Sequence, residues 1–307
     1  MPDPVTLPDV LPAERLDEAA AMLRRGELVG FPTETVYGVA AVAEMEDATG
    51  RLRRHAGLDP AAGLTWHVPD ADAALALLPE ASGGLRRLVR KLLPGPVTLR
   101  VGVGGAWVSV RCPDQPLTRR LLRSVGAPVV GASAARPGGR VAVDAEDAAA
   151  ALLGTAGAVL DGGRCRFGKP STLLELRDSL SGGDPGSGGL DWSVRRRGVI
   201  DERMIAEMQK VHWLLVCTGN TCRSPMAEVI ARDALRGKPE VHIGSAGVYA
   251  GEGQPASPEA VEAVRPLGLD LSAHRSRPLT ADLIASADFV FTMTESHRRA
   301  VLAQAPH

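Results

Sequence analysis

Cys217 and Arg223 stand six positions apart in VCTGNTCRSPMAE, residues 216–228, with a second thiol, Cys222, beside the arginine. A thiolate is a strong nucleophile, and a guanidinium is a planar two-pronged donor for phosphate oxygens, so the pair offers nucleophilic attack on phosphorus. The spacing alone is weak: with four cysteines and 35 Lys+Arg in 307 residues, some cysteine meets such a partner about half the time by chance. The intervening residues carry the argument. Gly219 lets a backbone approach a ligand closely, and Asn220 tolerates the left-handed turn that a tight loop needs. With Thr218, Thr221 and Cys222 they form a loop whose N–H groups can converge on an anion, a setting that favours the thiolate at Cys217. Ser224 is a candidate helix cap and a hydrogen-bond partner for the sulfur, and Pro225 suits a first helical position.

The elements around this loop follow from patterning. The apolar run HWLLV ends at Cys217, which predicts a strand carrying the cysteine at its carboxyl end, where open α/β sheets hold ligands. SPMAEVIARDALRG predicts a helix with Ala227, Ile230, Ala231, Ala234 and Leu235 as its apolar stripe. Strands at VHIGSAG and DFVFTMT alternate with helices at SPEAVEAVRPLG, TADLIASA and SHRRAVLAQA, predicting a small parallel sheet covered by helices.

Upstream, Leu11, Leu16, Ala19, Ala20 and Leu23 predict a helix over 11–25. ELVGFPTETVYGVAA predicts a strand followed by a turn that presents Thr33, Glu34, Thr35 and Tyr37. Helices over 83–93 and near 116–125, with strands at VTLRVGV, WVSVRC and PVVGAS, complete an α/β or α+β pattern. LSGGDPGSGGL, residues 180–190, reads either as an interdomain linker or as a loop from which DWSVRRRGVI returns as a strand.

Composition bounds the rest. A chain of 307 residues with 45% hydrophobic and 23% charged residues is globular and long enough for two domains. A net charge of -1 excludes a generally basic nucleic-acid or membrane binder. No basic-then-apolar leader opens the sequence, and the run from Ala148 to Leu160 is too short to span a bilayer. Cys112, Cys165, Cys217 and Cys222 show no disulfide framework and no paired CxxC metal spacing. The expectation is a cytoplasmic protein with no membrane association and no metal ligands.

VCTGNTCRSPMAE, followed by SAGVYAGEGQPASPEAVEAVRPLGLDLSAHRSRPLT, resembles the low-molecular-weight protein-tyrosine-phosphatase family over residues 211–307. The resemblance implies attack by Cys217, a cysteinyl-phosphate intermediate, and phosphate binding by Arg223 with Thr218, Gly219, Asn220, Thr221, Cys222 and Ser224, without a cofactor. It also implies that Cys222 can form a reversible disulfide with Cys217. Thr221 stands where tyrosine phosphatases of the family usually carry an aliphatic residue and where the branch resembling protein-arginine phosphatases carries threonine. Thioredoxin-linked arsenate reductases share the loop but need later cysteines, and none follows Cys222. The family places its general acid, an aspartate in an Asp-Pro loop, after another strand, a point the sequence does not reach by His307, and neither Asp282 nor Asp288 fits that role. The expectation is a phosphatase domain truncated at its C-terminus; the alternative is a crippled phosphatase that lacks an edge strand.

GELVGFPTETVYGVAA, KLLPGPVTL, VSVRCP, GASAARPGG, DGGRCRFGKPSTLLEL and VRRRGVI occur in that order. Together they resemble the threonylcarbamoyl-AMP synthase (YrdC/Sua5-like) family over residues 12–205. The resemblance implies a twisted mixed sheet around a basic cavity, a nucleotidyltransferase activity on ATP, L-threonine and bicarbonate, and a product used by the tRNA-modification machinery. Mg2+ would accompany ATP. Thr33 and Arg111 would meet threonine or its carbamoyl group, and Ser133, Ser171 and Arg196 the nucleotide. Ala56, Leu58 and Ala62 stand at positions where that family has basic residues, Ala135 where it has asparagine, and Trp107 where it has a small hydroxyl residue. Arg53 and Arg54 replace the missing cations only if their loop shifts. The whole chain therefore reads as an α/β protein, a YrdC-like mixed-sheet domain before a small parallel-sheet phosphatase domain. It has two activities, the second on a phosphoprotein. The alternative is a degenerate nucleotide- or RNA-binding module attached to a phosphatase.

Overall fold

The computed structural model describes residues 7–103, 105–178, 190–238 and 240–305. They divide into two compact units, Met1–Met208 and Gln209–His307.

In the first unit, the described residues form ten strands: β1 (Asp9–Leu11), β2 (Val29–Phe31), β3 (Gly38–Val42), β4 (Thr65–His67), β5 (Val97–Val103), β6 (Ala106–Arg111), β7 (Val129–Ser133), β8 (Ala158–Leu160), β9 (Thr172–Arg177) and β10 (Asp191–Arg196). They make a mixed sheet in the order β1-β8-β2-β3-β7-β4-β6-β5-β9-β10. Period-two alternation sets its faces. Val97, Leu99 and Val101 of β5 are buried in a core with Leu85, Leu88 and Val89 of the helix Gly83–Leu92, while Thr98 and Arg100 lie on the other face. The predicted helix over 11–25 begins later than expected. Leu11 precedes Pro12, a position that disfavours helical backbone, and it instead pairs with Leu160 in β8, so the α-helix runs Leu16–Arg24. β10 returns antiparallel to β9, with a register shift between Val194 and Arg196. The stretch 180–190 lies outside the described residues except for Leu190.

In the second unit, β11 (Val211–Cys217), β12 (Val241–Gly247) and β13 (Phe289–Thr292) form a parallel sheet ordered β12-β11-β13. Leu214 and Val216 bury one face against Leu279, Ile284 and Val301. Against the expected stripe, the helix Arg223–Ala234 leaves Ile230 44% exposed. Its inward residues are Ser224, Pro225, Met226 and Val229, the last two packing on Ala260, Val264 and Leu271. The phase is set by polar contacts rather than by the alanines: Glu228 and Arg232, one turn apart, both reach β12. Arg232 donates from Nε and NH2 to the carbonyl of Ile243 (3.1 and 2.7 Å), and Glu228 accepts from the Ser245 hydroxyl.

The outer margin of β12 is occupied further along. Arg277 Nε donates to the Ser245 carbonyl (2.7 Å), and the Gly247 carbonyl accepts from Leu279 N (2.8 Å). On the opposite margin, β13 exposes Phe289 and Phe291 (46% and 43%), with Trp213 edge-on to both.

Candidate active sites

β11 delivers Cys217 to the carboxyl end of the small sheet, opposite Gly247 of β12. Five residues later the chain enters the helix Arg223–Ala234, whose N-cap is Cys222. Ser224 is therefore not the cap expected from sequence; it lies within the first turn, where its hydroxyl donates to Cys217 Sγ (3.0 Å). Asn220 makes the turn at φ 52°, the positive value its side chain tolerates best among non-glycine residues. It is fully buried and tied on all sides. Its amide donates to Ser224 Oγ (3.0 Å) and Ser245 Oγ (2.8 Å), its side-chain carbonyl accepts from Arg277 N (2.9 Å), and its backbone carbonyl accepts from His274 Nε2 (2.7 Å).

These contacts fix the direction of every proton in the network. Asn220 supplies both N–H donors, so each serine oxygen accepts from it and must send its own hydrogen elsewhere. Ser245 sends its hydrogen to the Glu228 carboxylate. Ser224 sends its hydrogen to Cys217, the arrangement a thiolate needs. Around the sulfur, the backbone N–H groups of Thr218 to Arg223 meet no protein acceptor among the described residues. With the start of a twelve-residue helix behind them they form an anion cradle. A Cβ on Gly219 would meet only Thr221 Oγ1, at 3.6 Å, so the protein itself does not require glycine there. The requirement falls on Gly247, where a Cβ would lie 2.6 Å from Thr218 O and 2.8 Å from Asn220 N.

Arg223 is exposed, and its NH2 donates to Thr218 Oγ1 (3.0 Å). The same hydroxyl lies 2.9 Å from Nε2 of His297, a buried side chain from the helix Glu295–Gln304. Cys217 is buried, Cys222 half-buried, and both are free thiols. Asp288 sits at the other end of the sheet, accepting from His212 N (2.8 Å). Sequence reasoning missed Ser245, His274 and His297, which lie up to 79 positions from the loop residues they touch, and Glu228, which reaches the loop through Ser245; only the fold reveals them.

The first unit gathers a second cluster. The turn between β2 and β3 points Thr33, Glu34 and Thr35 at Arg111, the last residue of β6. Arg111 NH2 donates to Thr33 Oγ1 (3.1 Å), Thr35 Oγ1 (2.5 Å) and Glu34 Oε1 (3.3 Å). All four residues are buried, yet Arg111 Nε and Glu34 Oε2 lack partners. An unfilled charged donor and acceptor side by side are costly unless a ligand completes them. Burial raises the Glu34 carboxyl above its ordinary 4.5, against the opposing pull of Arg111.

Ser171, just before β9, bonds Thr98 across the sheet (2.8 Å) and accepts from Arg196 NH2 (3.2 Å). Burial first, and Arg111 second, hold Arg196 below its ordinary value, so the two guanidiniums share one electrostatic region. Ser133 stands apart: it ends β7, pairs in register with Gly38, and accepts only from Ala135 N (3.2 Å) among the described residues. Arg53 donates to the Ala62 carbonyl (3.1 Å) and so braces its own loop.

On the same sheet face, Glu175 meets Arg100 at 2.9 Å and Arg177 and Arg195 at 3.7 Å. Trp107 lies over Gly102, whose missing Cβ would stand 3.2 Å from the ring, with the Arg100 and Arg177 guanidiniums 4.4 and 4.9 Å from its centroid. Three arginines against one carboxylate leave this face positive. Among the described residues there is no group of three or more His, Cys, Asp or Glu that could hold a metal, and no helix long and apolar enough to cross a membrane.

Residues 21–181 match the Sua5/YciO/YrdC family model, described as Telomere recombination, and residues 212–307 match the model of Low molecular weight phosphotyrosine protein phosphatase. The threonylcarbamoyl-AMP synthase of Bacillus subtilis is 33% identical over 177 residues, 54% of this chain and 51% of that protein. The protein-arginine-phosphatase of the same organism is 46% identical over 92 residues, 30% of this chain and 61% of that protein. The chain thus spans about half the length of the first relative and under two thirds of the second. The structure of P. abyssi Sua5 complexed with L-threonine superposes with a TM-score of 0.53 at 20% identity, covering 97% of this chain and 96% of that one, a likeness of fold.

Proposed function

The chain belongs to the Sua5/YciO/YrdC family, and from that membership we propose that its first unit makes threonylcarbamoyl-adenylate from ATP, L-threonine and bicarbonate. In that reaction the threonine amine and bicarbonate give a carbamate with loss of water. A carbamate oxygen then attacks the α-phosphorus of ATP, and the bond to pyrophosphate breaks. The observation that supports this reading is the pair of unfilled buried groups, Arg111 Nε and Glu34 Oε2, beside Thr33. A guanidinium with a free donor suits a carboxylate, and a carboxylate with a free oxygen suits an ammonium, so an amino acid answers both. Ser171 and Arg196, with Ser133 at the end of β7, would take the nucleotide, and Mg2+ would arrive on its triphosphate. The product would pass to tRNA modification.

The test is pyrophosphate release that requires ATP, threonine and bicarbonate together; folded protein that releases none overturns the synthase reading. A binding-only module is the second reading. It is favoured by the absence of cations at Ala56, Leu58 and Ala62, and by an Arg53 already engaged with its own loop. ATP binding without pyrophosphate release identifies it.

The second unit acts as a cysteine-dependent phosphatase on a phosphoprotein. The Cys217 thiolate attacks phosphorus, forming the P–S bond as the ester or phosphoramidate bond breaks, and water then displaces the sulfur to give inorganic phosphate. The Ser224 hydroxyl directed at Sγ carries this reading. Replacing Cys217 with serine abolishes turnover of p-nitrophenyl phosphate; persistence of activity overturns the assignment. Thr221 favours phosphoarginine as substrate. Thr221→Ile then lowers the ratio of phosphoarginine to phosphotyrosine hydrolysis, and an unchanged ratio removes phosphoarginine from the proposal.

A further inference from the structure

His297 has no part in the chemistry described so far, yet it is buried and its ring joins the phosphate loop to the helix Glu295–Gln304. Counting hydrogens along its contacts gives them a direction. Arg223 can only donate, so Thr218 Oγ1 accepts from it (3.0 Å). Within the protein the Thr218 hydrogen has Nε2 of His297, 2.9 Å away, as its acceptor, and Nε2 then presents a lone pair. The ring proton therefore sits on Nδ1, 3.0 Å from Thr294 Oγ1, and Thr294 hands its own hydrogen to Ser296 Oγ (2.8 Å). In this order Thr218, His297 and Thr294 each give and receive within the protein, whereas the other tautomer turns the hydrogen of the exposed Thr218 to solvent.

A protonated ring would set a second cation against the oxygen already holding Arg223. Burial first, then the Arg223 charge, keep His297 below its ordinary 6.5. The opposing charge on its own helix, Glu295, is engaged with Arg298 (3.1 Å) and Arg299 (3.7 Å).

We propose that His297 is a positioning residue of the phosphate loop: as the neutral Nδ1–H tautomer it orients the Thr218 hydroxyl as an acceptor that holds the plane of the Arg223 guanidinium. The proposal rests on the phosphatase reading of the second unit. An exposed arginine otherwise samples many rotamers. Anchoring one nitrogen through the Thr218 hydroxyl, itself held by the buried His297 ring, leaves the remaining donors oriented for two phosphate oxygens before the substrate arrives.

The experiment combines ring-nitrogen NMR of the full chain with two variants. At neutral pH the wild-type His297 should show a protonated Nδ1 and a bare Nε2; a predominant Nε2–H tautomer overturns the proposal. His297→Ala should lower kcat on p-nitrophenyl phosphate by roughly ten- to a hundredfold, the range for losing a hydrogen bond that serves a charged group. His297→Gln places a carbonyl oxygen near the position of Nε2 and should recover activity to within about threefold of wild type.

If His297→Ala, shown by its unfolding temperature to be folded, turns over like wild type, or if glutamine rescues nothing, the positioning role is wrong. Inorganic sulfate supplies a readout independent of turnover: His297→Ala should weaken its binding, and unchanged affinity also overturns the role. Hydrolysis that survives Cys217→Ser defeats the phosphatase reading while leaving the tautomer and sulfate measurements standing. Wild-type protein that binds no sulfate defeats both.

Discussion

A hydroxyl proton aimed at sulfur is the most informative atom in the second unit. Because Asn220 donates to Ser224 Oγ, that oxygen cannot turn its hydrogen away from Cys217 without losing a buried partner. Ser224→Ala should slow iodoacetamide alkylation of Cys217 at neutral pH by roughly tenfold, since the thiolate loses its hydrogen-bond donor; an unchanged rate would show that the loop amides and Arg223 suffice alone. In the first unit, His67 makes a different prediction. Burial, and secondarily Arg111, push its ring down to about 3 from an ordinary 6.5. Between those values the unfolded chain binds a proton that the folded chain refuses, so its contribution is intact above pH 6.5 and is lost as pH falls toward 3. Urea unfolding of the first unit should show a larger loss between pH 7 and pH 5 in wild type than in His67→Asn. At this scale Cys217 and Arg223 were legible because loop chemistry is written contiguously. Ser245, Glu228 and His297 were not, because a serine in a strand or a histidine in a helix carries no local mark of what it will face.

Strand ends place the loop, and a glycine sets the tolerance. Gly247 closes β12 opposite Cys217, and its Cα touches the loop backbone so closely that a methyl group would collide with Thr218 O and Asn220 N. Gly247→Ala should therefore lower phosphatase turnover by at least roughly tenfold and shift the unfolding midpoint of the second unit downward, by the mechanism that makes overpacked backbone sites costly. Retained activity would mean the loop can move aside. The alternation of strands and helices in this unit was legible in full, since each segment carries an unbroken apolar run or a clear cap. The phase of the helix Arg223–Ala234 was not. Its alanines suggested one inward face, but the buried contacts of Ser224, Glu228 and Arg232 select another. Leu11 shows the same limit in a smaller way: its spacing fits a helix, while Pro12 and the partner Leu160 hold it in a strand.

Across the whole molecule, two units with separate cores carry the two proposed chemistries. Cys217→Ser should leave pyrophosphate release unchanged, and Arg111→Ala should abolish that release while p-nitrophenyl phosphate hydrolysis continues. Loss of both activities in either variant would reveal communication between the units.

The small sheet also sets how copies of the chain can meet. With Arg232, Arg277 and the 277–279 segment occupying the outward groups of β12, an incoming peptide finds no run of open carbonyls there. A margin already filled by its own side chains and by a neighbouring segment cannot template another chain, so the β12 side of this sheet is closed to strand-to-strand association.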